Sequence, residues 1–295
     1  FENLGGVDKF VRPGDNVLLK PNFIAPRSRR HATQTDPQII IATAQLLKDF
    51  DAKPFVADSP AWGTVYDCVG KLGLEEPLKK MDVPVKPLDR PVLCHVGDHR
   101  MRIHLSERAL QADAIINLPK FKAHQQLGAT FAVKNMYGVV TGKKKAYWHF
   151  TKGGNEIKFC SMLIDIFQYL KPALTIIDGI TAMDGRGPIS GRARELGWTI
   201  AGNDPIACER LCCKIVNIDS DFLPIIRTAR QMKFGCHDEN KIRVVGDNID
   251  SNRCGDFEIP ELIPIRFSLF HVMKSVVKQI VILTKAALKK TLTPS

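Results

Sequence analysis

The chain has 295 residues, 44% of them hydrophobic and 25% charged, a globular balance that excludes disordered and fibrous proteins and leaves room for one large α/β domain or two modest lobes. Its 42 Lys and Arg against 31 Asp and Glu give a formal charge of +11, which points to an anionic partner: nucleic acid, an acidic membrane surface or a polyanionic small ligand. Only 7% of residues are aromatic, too few to interleave stacking platforms with the basic groups, so no specific nucleic acid is expected.

Strand-like and helix-like segments alternate along the chain. Asn16–Lys20 is a short apolar run, and Pro37–Phe50 has helical periodicity. Lys53–Asp58 reads as the next strand and Thr64–Met81 as a helix broken by Gly70 and Gly73. Short strands are expected between Pro84 and Leu105 with a turn near Gly97-Asp98, then a buried strand at Asp113–Leu118. Helical segments follow near Gly128–Val140 and at Glu156–Leu170, then strands at Ala173–Asp178 and Trp198–Gly202. Helices at Pro205–Val216 and Asp221–Met232 and a last strand at Ile242–Gly246 complete the pattern. Short continuous apolar strands separated by helical crossovers imply an α/β fold with a mainly parallel sheet covered by helices on both faces.

Right-handed crossovers place the strand C-termini along one edge, where open α/β sheets bind ligands. Polar residues gather at these ends: Lys20-Pro21-Asn22, Asp58-Ser59-Pro60, Asn117-Leu118-Pro119-Lys120, Asp178-Gly179 and Gly202-Asn203-Asp204-Pro205. Turn composition accounts for any one of them, but several add a Lys or Asp that a turn does not need. Thr35-Asp36-Pro37 and Asn203-Asp204-Pro205 both place an Asp cap before a Pro at the first helical position. Capping explains both; the alternative is that the carboxylates or the helix amides face a ligand.

Lys120-Phe121-Lys122-Ala123-His124 is read as a strand-end loop, followed by Lys134-Asn135, Gly138, Lys143-Lys144-Lys145 and His149. Gathered cations clamp phosphate or carboxylate, and a Lys or His with a shifted pKa can act as a base. A solvated basic loop is the competing reading. The Gly-rich stretch Met183–Arg192, with Gly185 and Gly187, permits close backbone approach and anion-holding amides, but matches neither a P-loop nor a dinucleotide fingerprint.

Eight cysteines occur without CxxC spacing. Cys208 and Cys212 continue the apolar face of their helix with Leu211 and Ile215, which is core periodicity, so buried reduced thiols in a cytosolic protein are the simpler reading. Asp58, Asp178 and Asp204 could share a divalent cation such as Mg²⁺ with a bound phosphate. The chain opens on Phe1 rather than Met, which leaves upstream residues open, and no apolar run reaches the roughly 18 residues of a transmembrane helix.

In this order the motifs resemble a bacterial and archaeal family known as domain of unknown function 362, sometimes found in iron–sulphur proteins. The residues that carry the resemblance are Val17–Asn22, Thr35–Pro37, Asp58–Pro60, Ile115–Lys120 with Lys122 and His124, Val133–Asn135 with Gly138, His149, Ile177–Ile180, Gly185 with Gly187-Pro188 and Gly191, and Asn203–Pro205 with Ala207. Members often carry ferredoxin-type Cys clusters beside this domain. With no CxxCxxC run here, the resemblance implies a ferredoxin-type partner rather than an iron–sulphur cluster within this chain. Part of the motif set is also similar to the nickel-dependent lactate racemase group, through an α/β lobe with Lys and His near strand ends.

The sequence therefore divides into an α/β domain over 1–250 and, over 251–295, a linker and an amphipathic helix. In that helix Lys274, Lys278, Lys285 and Lys289 share a narrow arc at about 100° per residue, on an otherwise apolar surface suited to an oligomer contact or a membrane interface through residues 266–290. The expected function is an enzyme or ligand-binding domain for an anionic small molecule, cytoplasmic, with peripheral attachment to a membrane surface left open by the tail; an iron–sulphur or electron-transfer accessory role is the alternative. Lys20, Lys120, Lys122 and Lys134 would neutralise the anion, with His124, His149 or Lys120 as acid–base groups. Asn22, Asp36, Asp58, Asn117, Asn135, Asp178, Gly185, Gly187 and Asp204 would position the ligand or a cation.

Overall fold

A computed structural model describes residues 1–141, 144–250 and 253–266. The first half runs β1 (Asn16–Pro21), α1 (Pro37–Asp49), β2 (Lys53–Asp58), α2 (Val65–Lys71), α3 (Glu75–Lys80), β3 (Val85–Pro87), β4 (Pro91–Val96), β5 (Met101–Ser106), α4 (Glu107–Leu110) and β6 (Ala114–Leu118). The second runs β7 (Lys120–His124), β8 (Gly128–Thr130), α5 (Ala132–Asn135), α6 (Lys144–Lys152), α7 (Glu156–Leu170), β9 (Leu174–Asp184), β10 (Arg192–Gly202), α8 (Pro205–Ile215) and α9 (Pro224–Gln231).

Eight strands form one mixed sheet in the order β3-β2-β1-β6-β9-β7-β8, with β10 also on β9, and β4-β5 form a separate hairpin. β1, β2, β3, β6, β7 and β9 pair in parallel, whereas β8 on β7 and β10 on β9 are antiparallel. The apolar runs of the parallel strands are buried on both faces, because successive side chains point to opposite sides. Leu18, Phe55 and Ile115 pack with Phe159, Leu163 and Ile166 of α7. Val17, Leu19, Val56 and Ile116 pack on the other face with Ile40, Ala44 and Leu47 of α1. A third cluster joins Phe121, Ile177 and Ile200 to Cys208 and Cys212 of α8, so those cysteines are buried on the core face as their spacing predicts.

The helix starts are built by the expected caps. Asp36 accepts the Gln38 amide and Asp204 accepts those of Ile206 and Ala207, each before a first-position Pro. Three expectations are corrected. Lys120–His124 is not a loop but strand β7, buried throughout, because its pairing with β9 and β8 satisfies its backbone. Gly128–Thr130, placed at the start of a helical segment, is strand β8, and helix begins only at Ala132. Ile242–Gly246 forms no strand: Val244 and Val245 are exposed, and no neighbouring strand pairs with them among the described residues. The expected C-terminal helix, apart from Arg266, lies outside the described residues.

Candidate functional site

β7 aims three polar side chains at one side. Lys120, Lys122 and His124 alternate with Phe121 and Ala123, which enter the third apolar cluster. The two lysines nearest the β6 end then part company. Lys120 Nζ binds Asp178 Oδ2 at 2.7 Å in a fully buried pair, while Lys122 Nζ donates to Thr33 O at 2.7 Å.

Lys122 and His124 open instead onto a pocket of about 100 Å³. β1 contributes Lys20 and the following Asn22, β2 contributes Asp58, and α5 contributes Lys134 and Asn135. Tyr137 and Gly138, from the 3-10 turn Met136–Val139, and Lys145 of α6 complete much of the wall. Lys20 Nζ lies 2.8 Å from Asp58 Oδ1, and Asp58 also accepts the amides of Phe23 and Ser59. Asn135 is the brace between the strand ends: its Nδ2 donates to Lys20 O and Asn117 Oδ1, and its Oδ1 accepts from Asn22 Nδ2 at 2.7 Å. Asn117 turns its own Nδ2 to Ala132 O, which ties β6 to the start of α5. Two pocket atoms, Asn22 Oδ1 and Thr130 Oγ1, are buried without a hydrogen-bond partner among the described residues.

Burial dominates the electrostatics. It lowers Lys20, an effect that Asp58 opposes, and lowers Lys122 well below the usual ammonium range, helped by the charges of Lys134 and Lys120. Burial alone brings Lys134 down to about 8, and Lys145 also falls to about 8. His124 is held well below 6.5 by burial and by Lys134, His149 and Lys122. Its Nδ1 accepts the Gln126 amide at 3.1 Å, so the neutral ring carries its proton on Nε2. The pocket can therefore offer several N–H donors to a ligand while giving up part of its own positive charge when nothing anionic is near.

The other sequence candidates fall elsewhere. His149 packs between the rings of Tyr137 and Phe159, with Nδ1 3.3 Å from Ile265 O, behind the pocket wall rather than on it. Burial and the Lys134 charge take it down to about 3. Asp178 serves Lys120 and the Asp36 amide. Asp36 caps α1 and meets Arg29. Asp204 is spent on α8 and the Cys236 amide, since antiparallel β10 returns Gly202 to the Thr175 end of β9. The shared-cation arrangement of Asp58, Asp178 and Asp204 is thereby corrected: each has separate partners, and no group of three or more His, Cys, Asp or Glu converges among the described residues. Gly185 and Gly187 form no anion cradle on the pocket; a Cβ on Gly187 would stand 1.8 Å from Ala123 O, so that glycine lets the loop lie on the end of β7 and brings Pro188 to the pocket.

Tyr137 is a site residue that the sequence did not single out, and Lys145 stood out only as part of a run of three lysines with no role assigned. Lys145 donates to Ser59 O, and Tyr137 donates to Lys145 O at 2.7 Å. A larger cleft of about 450 Å³ beside the end of α8 is less suited to a ligand, since Arg210, Arg230 and Arg253 on its wall already face Glu239, Asp221 and Asp250.

Gly138 closes on the ion pair. A Cβ there would come within 2.7 Å of Asp58 Oδ1 and Lys20 Nζ. Gly138→Ala is expected to cost about 1–3 kcal/mol in urea denaturation, the usual range for overpacking.

The chain belongs to the family described as Domain of unknown function (DUF362), which it matches over residues 17–214. It is 35% identical over 288 residues to the thylakoid-associated protein sll1697 of Synechocystis sp., covering 94% of this chain and 87% of that protein. Among solved structures, the lactate racemase apoprotein of Thermoanaerobacterium thermosaccharolyticum is 13% identical with a TM-score of 0.48, over 69% of this chain and 50% of that one. A Thermotoga maritima protein is 13% identical with a TM-score of 0.44, over 70% and 55%. This chain thus spans about half the length of those two structures. Among the described residues no helix is long and apolar enough to cross a membrane.

Proposed function

We propose that the pocket binds the anionic group of a small phosphorylated or carboxylated molecule, as the ligand site of an enzyme or binding domain. One observation carries this reading: four lysines, Lys20, Lys122, Lys134 and Lys145, line a single small pocket in which, among the described residues, Asp58 is the one carboxylate, and Asp58 is already held by Lys20. Buried ammonium groups without counter-charge are costly, and an anion between them would restore their charges. His124 Nε2–H adds a neutral donor on the same wall.

The direction of the pH dependence follows. Lys134 and Lys145 sit near 8 in the free protein, so binding an anion raises them and takes up protons. Affinity for inorganic phosphate or sulphate is expected to fall as pH rises through about 8, and calorimetry in buffers of different ionisation enthalpy should register the proton uptake. A charge-assisted hydrogen bond is worth ~1.5–3 kcal/mol, so Lys122→Met should weaken binding roughly ten- to a hundredfold. If the unmodified protein binds no phosphate, sulphate or small carboxylate, the basic pocket is structural.

Peripheral attachment to a membrane is a second reading. It rests on the name of the thylakoid-associated relative and on the lysine arc of residues 266–290. Flotation with anionic vesicles should carry the full chain upward and leave a chain ending at residue 265 behind; equal flotation of both would dismiss it.

A further inference from the structure

We infer that Lys134 is a nucleophilic amine, and that the ligand of this pocket is a small oxoacid whose carbonyl carbon Lys134 captures as an imine. The inference rests on the anion-binding reading of the same pocket and adds the chemical class of the ligand. It starts from the unequal way in which the four lysines are held. Lys20 gives its ammonium to Asp58 and to Pro21 O, Lys122 to Thr33 O, and Lys145 to Ser59 O. Lys134 Nζ has no hydrogen-bond acceptor or carboxylate among the described residues; it lies 5.6 Å from the centroid of the Tyr137 ring. Surrounded by cations and tied to no acceptor, Lys134 can turn its lone pair into the pocket, the arrangement that activates amines toward carbonyl compounds.

The rest of the wall suits the partner. Lys122 and Lys145 can take the carboxylate of an oxoacid, and His124 Nε2–H can donate to its carbonyl oxygen. The balance of the step is simple. The Lys134 lone pair forms the C–N bond while the carbonyl π pair moves to oxygen. That oxygen collects the two protons that nitrogen gives up and leaves as water, and the C=N bond remains. A proton from solvent then yields an iminium, which can accept the electron pair of a bond broken at the adjacent carbon.

Burial brings Lys134 to about 8, and the charged or titratable groups facing it are Lys122 and His124 of β7, Tyr137 of the turn after α5, Lys145 and His149 of α6 and Cys160 of α7, with Lys20 of β1 and Asp58 of β2 on the same pocket wall. With an exposed lysine near 10.4, roughly two-hundredfold more of Lys134 is neutral amine at pH 7.

The experiment uses the full chain with pyruvate as the probe oxoacid and sodium cyanoborohydride to reduce any imine, followed by peptide mapping. The expected result is alkylation of Lys134 at least about tenfold above exposed Lys71, half-maximal near pH 8, suppressed by inorganic phosphate and absent in Lys134→Arg. Lys122→Met, which keeps the amine but loses part of the carboxylate site, should still label at Lys134 but need roughly ten- to a hundredfold more pyruvate for the same yield. Phosphate binding without labelling of Lys134, or labelling spread evenly over surface lysines, overturns the inference and leaves the anion-binding reading standing. Absence of any phosphate binding by the unmodified protein overturns both.

Discussion

Replacing Lys120 with Met is expected to destabilise the protein by about 3–5 kcal/mol, the usual penalty for removing one partner of a buried ion pair. The pair is Lys120 Nζ with Asp178 Oδ2 at 2.7 Å, with side chains 2% and 0% exposed. Asp178 would keep the amides of Asp36 and Ile180 as donors, but its charge would stand unneutralised inside the sheet. Restoring charge balance should therefore restore stability. In Lys120→Met/Asp178→Asn the amide oxygen can still accept the Asp36 N–H, so at least half of the loss should return, measured by urea denaturation of both singles and the double. Because Lys120 does not line the pocket, phosphate affinity in the double variant should be close to that of the unmodified protein. A single variant within about 0.5 kcal/mol of the parent, as for a lysine on a solvated loop, would show that the pair contributes nothing.

That expectation reverses what the local sequence indicates for Lys120, and the reason lies in the residue pattern of Lys120–His124. Three basic residues directly after a Pro resemble a strand-end loop, yet Lys-Phe-Lys-Ala-His alternates polar and apolar residues with the period of a strand. The alternation was the available signal. It was outweighed by charge, because the carboxylate and carbonyl that absorb two of those charges, Asp178 and Thr33 O, sit 58 and 89 residues away in the chain. β8 has three residues, too few for any pattern. By contrast, β1, α1, β2, β6, α7 and α8 were legible because each combines a continuous apolar period with a capping or turn residue at its edge.

The pocket was legible to the same degree. Lys20, Asn22, Asp58, Lys122, His124, Lys134 and Asn135 do converge, because parallel strands deliver their C-terminal residues to one edge. Asp178 and Asp204 also follow strands, but one became an internal counter-ion and the other left along an antiparallel strand. Strand direction is a long-range property that a residue's neighbours do not encode. Lys145 illustrates the converse: its inward turn is set by Ser59 O and Tyr137 Oη on other elements, which its neighbours in the chain do not encode.

The brace beneath the site is itself titratable, and its expected signature is a stability that declines between about pH 4.5 and 7. Glu209 of α8 is fully buried, with Oε1 accepting the Val133 amide at 2.9 Å at the start of α5, the helix that carries Lys134 and Asn135. Burial pushes its carboxyl up to about 7 from 4.5, while its hydrogen bonds with the backbone at Val133 and Ala132 restrain the rise. A carboxyl raised on folding favours the folded state while it is neutral in both states, below the unfolded value. That contribution is lost as pH rises through the folded value, in total about 3 kcal/mol at 1.36 kcal/mol per unit. Glu209→Gln keeps a carbonyl oxygen for the Val133 N–H and carries no charge. At pH 8 it is therefore expected to be more stable than the parent by about 2–3 kcal/mol, with the difference closing toward pH 4.5. The difference between two urea curves at each pH isolates Glu209 from every other titrating group. If that difference stays flat from pH 4.5 to 8, the carboxyl is not displaced, and the tie between α8 and α5 carries no pH dependence into the lysine pocket.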